Sequence, residues 1–274
     1  MRILVSHHTV YRYEQPANGV IQVLRLTPRH HDGQYVVRWR LDLSHDSRLE
    51  QREDAFGNIV QAFTLPGPIE EVGVNVEGEV ETQDTAGVVR GAVERFPPSL
   101  YLRETDLTHA DPAITAFAAE VAGRERHVLS RLHRLLATVH QEIAFDTDPT
   151  HAHTTAAQAF ELKRGVCQDL THIFITSARL MDIPARYVGG HLHRADGVID
   201  QGAGHAWAEA FVPDLGWVGF DPANGICMTE AHVRVAVGLD YLGAAPVRGA
   251  RYGGGIEKLD VSVRVEQMQS QWQE

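Results

Sequence analysis

Cysteine is scarce in this chain: 274 residues contain only Cys167 and Cys227. Two thiols so far apart in sequence cannot form the disulfide framework that staples a small secreted scaffold. Positive charge is also in deficit, with 25 Lys and Arg against 36 Asp and Glu and a formal net charge of -11. Nucleic acid demands basic faces, so no nucleic-acid partner is expected. Long apolar runs are missing as well. The opening Met1-Arg2-Ile3-Leu4-Val5-Ser6-His7-His8 turns polar after three apolar residues, too few for a signal peptide or a membrane span. No membrane partner is expected, and the expected location is the cytoplasm, where a thiol stays reduced. There is no internal repeat. The glycine run Gly253-Gly254-Gly255 is not a phosphate-binding loop, because it does not follow a strand and open a helix.

What the chain does have is enough apolar material for sizeable cores, 43% of residues, in a length beyond one typical domain. Tyr35, Val37, Trp39, Leu41 and Leu43 alternate with Val36, Arg38, Arg40, Asp42 and Ser44, and Val72, Val74, Val76 and Val80 alternate with polar or glycine positions. Period two means half-buried strands. Turn clusters at Asp54 to Asn58 and Leu65 to Pro68 punctuate them, so residues 1–85 are predicted to form an antiparallel β-sandwich. Residues 86–110, with Phe96-Pro97-Pro98, are the expected linker. Residues 111–274 then make a second, α+β domain with a C-terminal strand around Leu259 to Val265.

Within that second domain Asp111-Pro112 reads as a helix cap and first-turn proline, and Thr155 with Gln158 as a capping box before a helix stopped by Gly165. A further helix starts near Cys167. Its Leu170, Ile173, Phe174, Ser177, Ala178 and Met181 recur at three- and four-residue spacing until Asp182-Ile183-Pro184 ends it. Strands are predicted at Ala185 to Leu192, His205 to Val212 and Trp217 to Asp221, the last two joined through Pro213 to Gly216.

Cys167 is therefore placed where the helix points unpaired N–H groups and the positive end of its dipole, a setting that favours a thiolate. Gly204-His205-Ala206-Trp207 and Gly219-Phe220-Asp221-Pro222 follow, and supply in chain order a base and a carboxylate to orient it. Cys, His and Asp in that relation are the parts of a thiol acyl-transfer enzyme. Cys227, after Asn224-Gly225-Ile226, is predicted in a loop and has no such setting. Strict pairing of Val212 with Trp217 would send His205 and Asp221 to opposite faces of the sheet. A working triad thus requires an odd-length loop or a β-bulge between them. Sixteen histidines offer a rival chemistry: His151-Ala152-His153 and His191-Leu192-His193, with Asp146, Asp148 or Asp196, could gather a metal. None has an established helical ligand spacing, so neither a metal nor another cofactor is expected.

The stretches Gly165-Val166-Cys167-Gln168-Asp169-Leu170-Thr171-His172, Ile183-Pro184-Ala185-Arg186-Tyr187-Val188-Gly189-Gly190, His205-Ala206-Trp207-Ala208-Glu209 and Trp217-Val218-Gly219-Phe220-Asp221-Pro222-Ala223-Asn224 resemble the transglutaminase-like superfamily. The likeness is strongest to its bacterial branch, which includes proteins described as cysteine proteases, and it extends over the β-rich first part. It implies a papain-like α+β core with Cys167 as nucleophile, His205 as general base and Asp221 as orienting carboxylate. His191 stands where the family commonly has Tyr, and Gly204 where it commonly has Ser. These two and Trp207 are the expected substrate contacts, and Gln168 and Asp169 the expected supporting residues. The expected activity is cysteine-dependent acyl transfer at an amide of a peptide or protein, with hydrolysis favoured. A silent peptide-binding module using the same cleft and a metal-dependent hydrolase are the alternatives.

Overall fold

The structure, a computed structural model, describes residues 1–268. In chain order its elements are β1 (Arg2–Thr27), β2 (Gln34–Leu43), β3 (Glu50–Glu53), β4 (Ile59–Thr82), β5 (Val88–Val89), α1 (Pro112–Ala122), α2 (Val128–Glu142), β6 (Ala144–Phe145), α3 (Ala156–Leu162), β7 (Arg164–Gly165) and α4 (Cys167–Leu180). There follow β8 (Ala185–Leu192), β9 (Asp200–Gln201), β10 (His205–Val212), β11 (Gly216–Asp221), β12 (Ile226–Cys227), β13 (His232–Gly238), α5 (Tyr241–Ala244), β14 (Val247–Gly253) and β15 (Glu257–Gln267).

β1 and β4 form one long antiparallel ribbon whose pairing is interrupted between Arg12 and Ala17. On one side of the interruption the ribbon is flanked by β2 and β15, on the other by β3 and β14. The halves share a core: Val20, Leu24, Phe63 and Leu65 of one pack with Val72, Val74 and Val76 of the other. The expected sandwich is thus a single bent sheet. Its expected limit at residue 85 needs correction, because β14 and β15 belong to it and the second domain does not run to the C-terminus as a separate unit. The reason is the free edge of β1, which β15 covers from Ile3 to Tyr13 while burying Val263 and Val265.

Residues 86–110 are not a free linker either. Val88 and Val89 pair with the edge of β11, Tyr101 is buried edge-on against Trp217 at 5.0 Å between centroids, and Glu94 pairs with buried Arg186 at 2.8 Å. The segment is a strap over the second sheet, held by a few anchors that its polar, proline-containing composition conceals.

That second sheet runs β12-β11-β10-β8-β13. α4 lies across it as a central helix, buried continuously from Asp169 to Arg179. Ala206, Ala208, Ala210, Val218 and Phe220 pack against Leu170, Ile173, Phe174 and Ala178, with α1, α2 and α3 closing the other sides. Small alanines on β10 let the helix approach closely, and Phe174 stacks on Phe220 at 5.4 Å. Each large side chain buried here contributes roughly 1.5 to 3 kcal/mol of transfer free energy. The opposite face carries Val188, Trp207, Trp217 and Val237 and a buried ion network. Glu209 is bound by Arg186 at 2.7 Å and Arg234 at 2.6 Å, and the Arg186 guanidinium lies 3.9 Å from the centre of the Trp217 ring. Burial alone would raise the Glu209 pKa, but the charges of Arg234 and Arg186 bring it down to about 2.

Both predicted caps form. Asp111 accepts from Ile114 N–H, and Thr155 and Gln158 make the reciprocal box. The stop after α3 is Lys163, in the left-handed region at φ 54, where Gly165 was expected. Most useful for the site is the β10–β11 turn. Val212 pairs with Gly216, so the loop is Pro213 to Leu215, odd in length, with Asp214 at φ 69 and Gly216 at φ 90. Ala208 therefore opposes Phe220, and His205, Trp207 and Asp221 fall in rows of one face.

Candidate active site

The short β7 delivers the chain to the start of α4, where Val166 has no side chain able to cap. Asp169 does that work from inside the first turn: its Oδ2 accepts from Val166 N–H at 2.9 Å and from Thr150 Oγ1–H at 2.7 Å. A Cβ at position 165 would lie 2.6 Å from that oxygen, which is why the position is glycine. Burial raises the Asp169 pKa, against the opposing pull of Thr150, Val166 and His151. Asp169 thus fixes the helix start. Gln168 is half-buried beside it, its side chain toward the Ala152 carbonyl. Cys167, the first helical residue, is half-buried.

His205 is the first residue of β10 and lies close enough to Cys167 for the thiol to help hold its pKa up. Its Nε2 is 2.7 Å from Oδ2 of Asp221, which leaves Nδ1 as the ring nitrogen for the thiol. Burial alone would lower the His205 pKa. The charge and hydrogen bond of Asp221, with the contact to Cys167, outweigh it and raise the pKa to about 10. Asp221 is fully buried, yet despite that burial the charge and hydrogen bond of His205, and then His232, hold its carboxyl far below the ordinary carboxylate range. The expected trio is brought together.

Two further residues join it. Asn224 donates its side-chain amide to Asp221 Oδ2 at 2.7 Å and its backbone N–H to Oδ1 at 3.2 Å. His232, buried on β13, places Nε2 3.2 Å from the same Oδ2. No motif marks His232 in the sequence, since it lies outside every stretch that carries chemistry and reaches the site only through the pairing of β13 with β8.

The expected substrate contacts fare differently. Trp207 is fully buried, its ring near-parallel to that of His205 at 6.2 Å and edge-on to His232 at 5.1 Å. It is a packing surface for the site and not a wall open to substrate. His191 is likewise buried, against His7 of β1 and Trp39 of β2 in the N-terminal sheet. Gly204 stays at the site. A Cβ on it would be 3.0 Å from the Gly190 carbonyl oxygen, so its glycine lets β10 approach β8 just before His205.

The proposed metal clusters do not assemble. His151 and His153 sit on an exposed loop with rings 6.4 Å apart, and His191 is buried away from both. Among the described residues the one group with ligand atoms close together is His205, Asp221 and His232. Its shortest separation, 2.7 Å, is that of a hydrogen bond. Two ligands sharing a tetrahedral ion at about 2.0 to 2.2 Å would stand roughly 3.4 Å apart. The arrangement is a hydrogen-bonded carboxylate with two imidazoles.

The sequence of this chain matches the bacterial transglutaminase-like N-terminal region over residues 3–81 and the transglutaminase-like superfamily core over residues 115–222. An uncharacterized protein of Mycobacterium leprae is 31% identical over 281 residues, covering 97% of this chain and 99% of the relative. A protein-glutamine gamma-glutamyltransferase of Pseudomonas aeruginosa is 28% identical over 163 residues, covering 53% of this chain but 24% of that protein. The fold is that of a solved candidate cysteine protease from Cytophaga hutchinsonii, with a TM-score of 0.80 at 17% identity over 100% of this chain and 92% of that one.

Proposed function

Because the chain belongs to the transglutaminase-like superfamily, we propose that it is a cysteine-dependent acyl-transfer enzyme acting on an amide of a peptide or protein, either in the backbone or in a glutamine-like side chain. The observation that carries this reading is the 2.7 Å bond from His205 to a buried carboxylate, with Cys167 at a helix start close enough to the same imidazole to help raise its pKa.

The Cys167 sulfur adds to the carbonyl carbon, and the oxygen takes up negative charge. The Cys167 backbone N–H, among the first of α4 and so without an intrahelical acceptor, is the proposed donor to that oxyanion. His205 gives its proton to the departing amine as the C–N bond breaks, leaving a thioester. It then removes a proton from water, whose oxygen attacks the thioester, and the thiol is regenerated. Asp221 holds the imidazole in one orientation and stabilises its charged form throughout. Water is the favoured acceptor, and a primary amine in its place would give transamidation. The thiol has to stay reduced, and we propose that the protein acts in the cytoplasm.

Incubation of the protein with a peptide library, with and without a primary amine, tests this by mass spectrometry. Backbone cleavage identifies a protease, conversion of glutamine to glutamate a deamidase, and a glutamine–amine adduct a cross-linker. Each must vanish in Cys167→Ala. No product of any kind would leave the cleft as a binding surface.

A further inference from the structure

Asp221 binds one more partner than orientation of His205 needs. Its Oδ2 lies 2.7 Å from His205 Nε2, 2.7 Å from Asn224 Nδ2 and 3.2 Å from His232 Nε2. The proton on His232 can be located. Its Nδ1 lies 3.1 Å from the backbone N–H of Thr229 and must accept from it, so the hydrogen is on Nε2 and is donated to Asp221. His232 is fully buried and held edge-on against Trp207, the ring that also lies against His205. Its position is therefore fixed on both sides and does not depend on the substrate.

We propose that His232 is a positioning residue of the acyl-transfer reaction: it shares one carboxylate oxygen with His205 and thereby fixes Asp221 in the orientation that aims the imidazole at Cys167. This rests on the reading of Cys167, His205 and Asp221 given above. With Asn224 holding Oδ1 through its backbone N–H and Oδ2 through its side chain, both from one side of the carboxylate, the group could still twist about its Cβ–Cγ bond and tilt Oδ2 away from His205. Two donors from separate elements, Asn224 beyond β11 and His232 on β13, prevent that rotation. The titratable groups facing the carboxylate are His205 from β10 and His232 from β13, with Cys167 of α4 beyond His205. Loss of His232 should make Asp221 easier to protonate and weaken the hold on His205 at low pH.

The test reads the rate of Cys167 alkylation by iodoacetamide against pH in the full-length protein. His232→Phe keeps the ring volume and loses the donor, whereas His232→Gln can place an amide N–H near the position of Nε2. Phe is expected to slow alkylation near neutral pH about tenfold, the size of one lost hydrogen bond to a charged group, and to move the acid limb of the profile upward. Gln is expected to restore most of the rate. If Phe does not fold, His232→Asn takes its place, since its shorter side chain can still meet Thr229 but falls short of Asp221. A folded Phe or Asn variant with the wild-type pH profile would overturn the proposal and leave His232 as core packing. Alkylation needs no substrate, so that outcome is distinct from a failure of acyl transfer in the wild-type protein.

Discussion

Gly190 is the register partner of His205 across the β8–β10 ladder, and only glycine fits there without displacement. A Cβ at position 190 would lie 2.1 Å from the Val233 carbonyl oxygen and 2.8 Å from the Trp207 ring. The backbone of β13 and the indole of Trp207 close over this point. Next to Val233 is His232, and on the ring of Trp207 lies His205. The glycine lets three strands converge at the place where the triad is assembled.

Gly190→Ala should therefore disturb both stability and the site. A methyl group must push the β13 backbone or Trp207 aside, and overpacking of this kind costs about 1 to 3 kcal/mol. Urea denaturation gives the loss, and iodoacetamide labelling of Cys167 should slow in the same variant. Unchanged stability would mean that β13 yields without strain.

The two cysteines should differ in reactivity. Burial raises the Cys227 pKa, and a protonated thiol is a poor nucleophile. Cys167 instead opens α4 beside an imidazole whose charged form Asp221 favours. Iodoacetamide at mildly acidic to neutral pH is expected to label Cys167 while Cys227 remains free, as read by peptide mass spectrometry. Equal rates at the two sites would contradict the activated thiol.

Asp221→Asn should alter the pH dependence of folding in a definite direction. Despite burial, the charge and hydrogen bond of Asp221 push the His205 pKa up to about 10 in the folded protein, against 6.5 for an ordinary histidine. Its pairing thus stabilises the fold fully below about 6.5 and loses that contribution as pH rises toward 10. Asp221 is depressed, so its share is present above the ordinary carboxylate value of 3.8 and is lost on acidification below it. The Asn variant should show a flatter fall in stability between pH 6.5 and 10 by chemical denaturation. Its turnover should drop by about three to four orders of magnitude, since the wrong imidazole tautomer is no longer disfavoured. Stability at neutral pH falls too, because Asp221 accepts from three residues and not from His205 alone. A wild-type alkaline slope in the variant would show that His205 is not charged through Asp221.

Much of this site was legible in local sequence. Asp111, Thr155 and Gln158 announce helix starts by the chemistry of their side chains, and the predicted spans of β8 and β10 match those strands in full. The parity argument for His205 and Asp221 reduces to one integer, the length of a turn. His232 escaped because its relevance depends on β13 pairing with β8, a long-range choice that no window reveals. Trp207, two residues from His205, and His191, after Gly189-Gly190, look available in sequence, yet burial by Trp217's layer and by the N-terminal sheet removes both from substrate. The merging of the chain ends escaped for the same reason: β15 alternates like any edge strand, and nothing in that pattern names β1 as its partner.

His7 and His191 carry the last prediction, which concerns acid. They meet between the two sheets, His7 on β1 and His191 on β8, with ring centroids 5.6 Å apart and planes nearly perpendicular at 87°. His7 Nε2 hydrogen-bonds Thr9 Oγ1 at 3.0 Å, and both rings are buried. Burial, then the neighbouring His8, lowers His7 to about 4; burial, then His7, lowers His191 to about 3. An unfolded histidine titrates near 6.5, so the unfolded chain binds these protons first as pH falls. Each ring's contribution is therefore intact above about 6.5 and is lost on the way down to 4 or 3. His172, lowered to about 4 by burial and accepting from Tyr241 N–H, acts in the same direction from inside the catalytic core. His191→Phe keeps an aromatic ring against Trp39 and removes one of these proton uptakes. Urea denaturation at several pH values should show the variant losing less stability between pH 6.5 and 4, by up to about 1.4 kcal/mol per pH unit for one proton. A slope equal to that of the wild type would mean that His191 is already charged in the folded protein, and the junction between the two sheets would then owe its acid sensitivity to other groups.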